Sequence, residues 1–193
     1  MVDRQYFYSR QPVCGRCAKK RGPATEPADH ALGRSKGGFG TKLHLLSDGG
    51  GLPLSVALLP GQAHESTQFE AVVDSVYIRR RHGRRRRRPR RLGGDRAYHA
   101  QRIRQWLRRH RIGAVIPPKR SRGRRRPGRP VSYDVTRYRG RSIIECNIGW
   151  LKECRSLATR YEKLAVHYLG LVKLAIIERY LRRLSTLPTG GAT

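Results

Sequence analysis

The period of the apolar positions changes several times along the chain, and each change predicts an element. "TKLHLLSD" (41–48) and "LPLSVALLPG" (52–61) are β-capable runs joined by "GGG", which predicts a hairpin. "STQFEAVVDSVYIRR" (66–80) turns to a helical period, and Thr67 with Glu70 has capping-box spacing at its start. "LGGDRAY" (92–98) predicts a short strand ending at Asp95, "HAQRIRQWLRRHR" (99–111) a basic amphipathic helix, and "GAVIPP" (113–118) a buried strand stopped by prolines. A helix around Glu145 follows. The apolar positions of "LAVHYLGLVKLAIIERYL" (164–181) recur at helical spacing but are interrupted by His167, Lys173, Glu178 and Arg179, which predicts a helix packed on a core rather than a membrane span.

With a short strand at "MVDRQYF", the order becomes β-β-β-α-β-α-β-α: an α/β fold with a mixed sheet, helices on its faces and an antiparallel part from the hairpin. One domain is expected over residues 1–185, with 186–193 a disordered tail. Residues 4–40, 79–91 and 119–130 read as basic loops.

Charge changes this picture more than any other property. The 193 residues hold 43 Lys and Arg against 13 Asp and Glu, a formal +30, while 37% are hydrophobic, enough for one core. Such an imbalance repels itself unless a polyanion is near. With no secretory leader at the N-terminus, nucleic acid in the cytoplasm, at the nucleoid, is the expected partner. "RRRHGRRRRRPRR" (79–91) and "KRSRGRRRPGRP" (119–130) are solvated loops or phosphate-facing arms. Composition alone would equally describe a non-enzymatic basic nucleic-acid-binding scaffold.

The four cysteines add little. Cys14 and Cys17 form "CGRC", but Cys146 and Cys154 do not form a second such pair. A structural zinc would need these cysteines, or His30, to converge. Four reduced thiols is the preferred reading.

"YRGRSIIECNIGWLK" (138–152) raises a sharper question, because one glutamate stands there among isoleucines. On a continuous helix Tyr138, Arg141, Glu145 and Lys152 fall at about +20°, −40°, 0° and −20°, a single stripe bordered by Ile144, Ile148 and Leu151. The stripe reads either as an oriented, ionised carboxylate or as a surface salt-bridge ladder.

The spacing Tyr138-x2-Arg141-x3-Glu145-x6-Lys152 resembles the signature of bacterial insertion-sequence DDE transposases. "ALGRSKGGFGTKLHLLSDGGGLPLSVALLPGQAHEST", "GDRAYHA" and "ECNIGWLKECRSLATRYEKLAVHYLGLV" are similar to further segments of that family, so the likeness runs over about residues 29–184. It implies an RNase-H-like fold and metal-dependent cleavage and strand transfer on double-stranded DNA at transposon ends and target. It also implies Asp3, Asp95 and Glu145 as catalytic acids holding two Mg2+ or Mn2+ ions. Lys152, Arg141, Tyr138, Arg155 and Arg160 would contact DNA, with Tyr138 and Arg141 also orienting Glu145. Asp29 and Asp48 compete with Asp3, but Asp29 falls in a loop and Asp48 at a turn.

The chain departs from the family where the apolar lead of its first strand, the N-terminal helical region and the branched residues before Asp95 would stand. Residues 4–22 also match poorly. The resemblance therefore implies either the second reading frame of a two-frame element, with an N-terminal partner encoded upstream, or a catalytically inactive remnant. A homodimer is compatible with both.

Overall fold

The computed structural model describes residues 5–15, 28–35, 38–64, 67–78, 88–118 and 133–186. Its strands are β1 (Gln5–Gly15), β2 (Gly33–Ser35), β3 (Gly38–Asp48), β4 (Pro53–Pro60), β5 (Arg91–Gly94), β6 (Gly113–Val115) and β7 (Thr159–Arg160). Its helices are α1 (Phe69–Asp74), α2 (Gln101–Arg109), α3 (Val135–Arg139), α4 (Ser142–Glu153), α5 (Arg155–Ala158) and α6 (Ala165–Ser185).

The sheet is mixed. β1 runs antiparallel to β3 and parallel to β5; β5 is parallel to β6, and β4 is antiparallel to β3 on the side away from β1. The order across the main strands is thus β4-β3-β1-β5-β6, with β3 reversed. The short β2 and β7 extend β3 and β1 at one end. The β3–β4 hairpin forms as expected: Asp48 Oδ1 accepts from the backbone N–H of Gly50 and Leu52 at 2.9 and 2.8 Å, and Gly51 supplies the positive φ of 82°. Asp48 is a turn residue.

Two-residue alternation divides the core between the two faces of the sheet. Tyr6, Tyr8, Leu46 and Leu92 pack with Phe69, Val72 and Val73 of α1 and Ile103, Trp106 and Leu107 of α2. Phe7, Leu43 and Leu45 turn the other way, under Ile144, Ile148 and Leu151 of α4, Leu157 of α5 and Tyr168 and Val172 of α6. Each fully buried aliphatic side chain of this kind contributes about 2 kcal/mol. A buried bond of 2.8 Å joins the Tyr8 hydroxyl to His44 Nδ1 inside the first face.

Several boundaries differ from expectation. α1 is short and is not capped by Thr67: its N-cap is Gln68, which makes no side-chain cap bond, while Thr67 Oγ1 donates to the His64 carbonyl and Glu70 pairs with Arg102 at 2.9 Å. A cross-chain ion pair has replaced the capping box. The basic stretch 79–91 is only partly loop, since Arg88 lies 3.6 Å from Asp74, Pro89 is buried and Arg91 opens β5. Residues 119–130 and 187–193 lie outside the described residues. No helix among the described residues is long and apolar enough to cross a membrane.

Candidate active site and nucleic-acid face

Glu145 does not sit on one long helix. The chain breaks into α3 and α4 at Gly140–Arg141, where Arg141, Ile143 and Ile144 bond backward to Tyr138, Gly140 and Arg141, three residues away rather than four. This tighter turn eclipses positions i and i+3, so Tyr138 stays over Arg141 across the break. The Arg141 guanidinium carbon lies 5.4 Å from the Tyr138 ring centre, and Tyr133 meets Tyr138 edge-on at 5.6 Å. Arg141 then reaches Glu145 with an Nη2–Oε1 distance of 2.9 Å. The isoleucine neighbours point inward: Ile144, Ile148 and Leu151 are buried, while the Glu145 side chain is 52% exposed.

Asp95 leaves the C-terminal end of β5 in extended conformation and caps the one-turn 3-10 helix Arg96–Tyr98. Its Oδ1 accepts from the Ala97 N–H at 2.8 Å. A structural task, capping a turn, is therefore already assigned to this acid.

One side chain fastens these two elements together. A Cβ on Gly93 would stand 2.8 Å from Phe7 Cδ1, and one on Gly140 would stand 3.0 Å from Phe7 Cζ. The Phe7 ring thus fills the space that a side chain at either glycine would need. It holds the strand ending at Asp95 against the turn leading to Glu145. The glycines before Asp95, a departure from the family pattern, have this packing as their physical reason. Gln5 adds to the join: its Nε2 donates to the Arg137 carbonyl at 3.3 Å.

The first acid is a different matter. Asp3 lies outside the described residues. Gln5 pairs with Arg91 at the start of β5, whereas the last pair toward Asp95 is Tyr8 with Gly94. One step further on stand Ser9 and Asp95. Ser9 is paired with Leu45 of β3, which packs under α4, so Ser9 faces the same side. No residue of β1 is acidic. Ser9, Phe7 and Gly140 carry no signal along the chain, since only the register gives them a neighbour.

The basic candidates separate. Lys152 is exposed at the edge of an apolar pocket lined by Leu43, Ile148, Leu157 and Tyr168, and Arg155 is exposed on α5. Arg160 is a correction. It is 3% exposed, and its guanidinium donates to the carbonyls of Glu162 at 2.8 Å, His30 at 2.6 Å and Lys163 at 2.9 Å, and to Thr41 Oγ1. Burial lowers its pKa from the ordinary arginine value. A guanidinium consumed by buried carbonyls is a structural anchor and presents nothing to a phosphate.

Among the described residues no group of three or more His, Cys, Asp or Glu is placed to hold a metal ion. Cys146 is exposed and Cys154 half-buried, both free thiols; the Cys14 side chain and Cys17 lie outside the described residues.

Comparison with known proteins agrees with the sequence resemblance. The chain is 30% identical over 136 residues, 70% of its own length and 60% of the relative's, to "Putative transposase for insertion sequence element IS402" of Burkholderia cepacia. It thus spans less than two thirds of that relative. A piggyBac transposase synaptic complex with hairpin DNA is similar over 89% of this chain and 45% of that one, at 11% identity and a TM-score of 0.43. Residues 13–177 match the profile of the family described as Transposase DDE domain, and the chain belongs to that family.

Proposed function

We propose that this chain acts as the DNA-handling domain of an insertion-sequence transposase, with phosphodiester cleavage and strand transfer as the reaction class of the edge formed by Asp95 and Glu145. The observation that carries this is the Phe7 ring, which ties the end of β5 to the start of α4 and so directs both acids to one edge. The strand order β4-β3-β1-β5-β6, with β3 alone reversed, supports an RNase-H-like core. Double-stranded DNA is the partner that best suits a formal +30. Lys152 and Arg155 contribute point contacts to backbone phosphates, and Arg141, braced by Tyr138, orients Glu145.

Reactions of this class draw on two divalent ions, Mg2+ or Mn2+, which lower the barrier by neutralising charge on the phosphate and need shared carboxylates. The described residues do not fit such a pair. Asp95 and Glu145 supply two carboxylates, and β1, the strand that runs beside Asp95 under α4, supplies none over Gln5–Gly15. That observation favours a second reading, a domain that binds and positions DNA without cutting it unless a third carboxylate comes from outside the described residues.

Both readings meet in one experiment. The parent chain, Asp95→Asn and Glu145→Gln are given an end-containing duplex with Mg2+ or Mn2+, while metal-free affinity is followed by fluorescence anisotropy. Cleavage by the parent and loss in both variants supports the first reading. Tight binding by all three with no cleavage supports the second. Equal cleavage by all three refutes the site itself.

A further inference from the structure

The long helix α6 carries two apolar stripes. Tyr168 and Val172 are fully buried against the sheet, while Val166, Leu174, Ile177, Leu181 and Leu184 are 67%, 62%, 53%, 60% and 62% exposed. At 100° per residue the exposed stripe centres about 180° away from the buried one. Gly170, Leu174, Ile177, Leu181 and Leu184 recur at intervals of four and three, the a/d period of a two-helix seam. The remaining large exposed apolar residues, Tyr77, Val135 and Tyr161, are scattered, as is usual on a surface.

We propose that this stripe is a self-association seam through which two copies of the chain pair by parallel α6 helices. The charges beside the seam select the occupant. Lys173 and Glu178 stand five residues apart at the g and e positions, which in a parallel pair meet across the interface, and the two-fold axis repeats the contact. Glu178 is engaged by Arg182 through Oε1, in bonds of 3.0 and 2.6 Å. Its second oxygen lies outside that pair. DNA would be met by cations rather than by five aliphatic side chains. A second copy supplies both the apolar surface and the opposite charge.

The pair is short and each copy carries +30, so association is weak at low salt and strengthens as salt screens the repulsion. This inference is independent of whether the domain cuts DNA.

Sedimentation equilibrium of the nuclease-treated full chain tests it, at about 0.15 M and about 0.5 M salt. The expected result is a reversible dimer whose dissociation constant falls as salt rises. Leu181→Glu, on an exposed face, should leave the far-UV spectrum unchanged and weaken the dimer by about a hundredfold or more. Lys173→Glu and Glu178→Lys should each weaken it by about tenfold, and the doubly exchanged variant should return close to the parent. A chain that stays monomeric at every concentration, a dimer indifferent to Leu181→Glu, or a double exchange that does not restore pairing overturns the proposal. The last result would assign the stripe to another partner, such as a segment of the longer relatives.

Discussion

Arg141 reaches Glu145 across 2.9 Å, one helical turn apart, from a position that a tight turn has stacked beneath Tyr138. The pair is half in solvent, so its contribution to stability is small, roughly 0.5 kcal/mol or less. Replacing Arg141 by Met should therefore leave thermal unfolding nearly unchanged while lowering DNA affinity and reducing its salt slope by about 0.9, the value of one neutralised phosphate. Glu145→Gln should raise metal-free DNA affinity slightly, since one repelling charge is gone. A large loss of stability in Arg141→Met, with DNA binding intact, would mark the stripe as a plain salt-bridge ladder.

Ser9 stands in register beside Asp95 on the face beneath α4. Ser9→Asp should place a third carboxylate at that edge and tighten Mn2+ binding by about tenfold or more over the parent. Ser9→Asn, of similar size but uncharged, should not. Isothermal titration of the three proteins reads this directly, and equal Mn2+ affinity in all three would show that β1 does not face the metal position.

The basic stretch before β5 is divided by the fold. Arg88, Pro89 and Arg91 are part of the structure, so only Arg84 to Arg87 of the run are suited to removal. Changing those four to Ser should flatten the logarithmic dependence of DNA affinity on salt by about 0.9 for each phosphate they neutralise, with no change in the far-UV spectrum. An unaltered slope would make that segment a passive insertion.

Arg160 joins three parts of the chain: the 3-10 turn ending at His30, Thr41 of β3, and the Glu162–Lys163 loop. Arg160→Ala would leave several buried carbonyls without donors and should cost about 3 kcal/mol in urea unfolding. Arg160→Lys, reaching fewer carbonyls, should recover only part of this. A loss of DNA binding in Arg160→Lys at unchanged stability would contradict the anchoring role.

Tyr168 is buried beneath Arg160, its hydroxyl donating to the Leu157 carbonyl at 2.7 Å. Burial raises its pKa from 10.0 to about 12, against the opposing pull of Arg160. The folded state then holds a proton that the unfolded chain releases. This contribution is fully present below pH 10 and is lost as pH rises from about 10 through about 12. Denaturant unfolding between pH 9 and 12 should show that decline in the parent and a smaller one in Tyr168→Phe, which has no proton to lose. Parallel declines in both would locate the alkaline sensitivity elsewhere.

The sequence by itself determined what local chemistry determines. The alternation of "KLHLL" was enough for a two-sided strand, "DGGG" for the turn, and the 3.6-residue period for α2, α4 and α6, because each depends on neighbours within about one turn of chain. The family signature was legible for the same reason: Tyr138, Arg141, Glu145 and Lys152 keep their spacing without any long-range contact.

Tertiary structure decided the rest. Arg160 reads as one more cation among 43 basic residues until carbonyls about 130 positions away fold around it. Gly93 reads as a weak strand residue until the Phe7 ring occupies its face. Glu70 has the spacing of a cap but is taken by Arg102, because an ion pair across two helices outweighs a local bond to one N–H. The register of β1 against β5, which sets Ser9 beside Asp95, is a property of pairing between strands more than 80 residues apart. A shift of one residue in that pairing would exchange every face, so the composition of the site follows from packing of the two cores rather than from spacing along the chain.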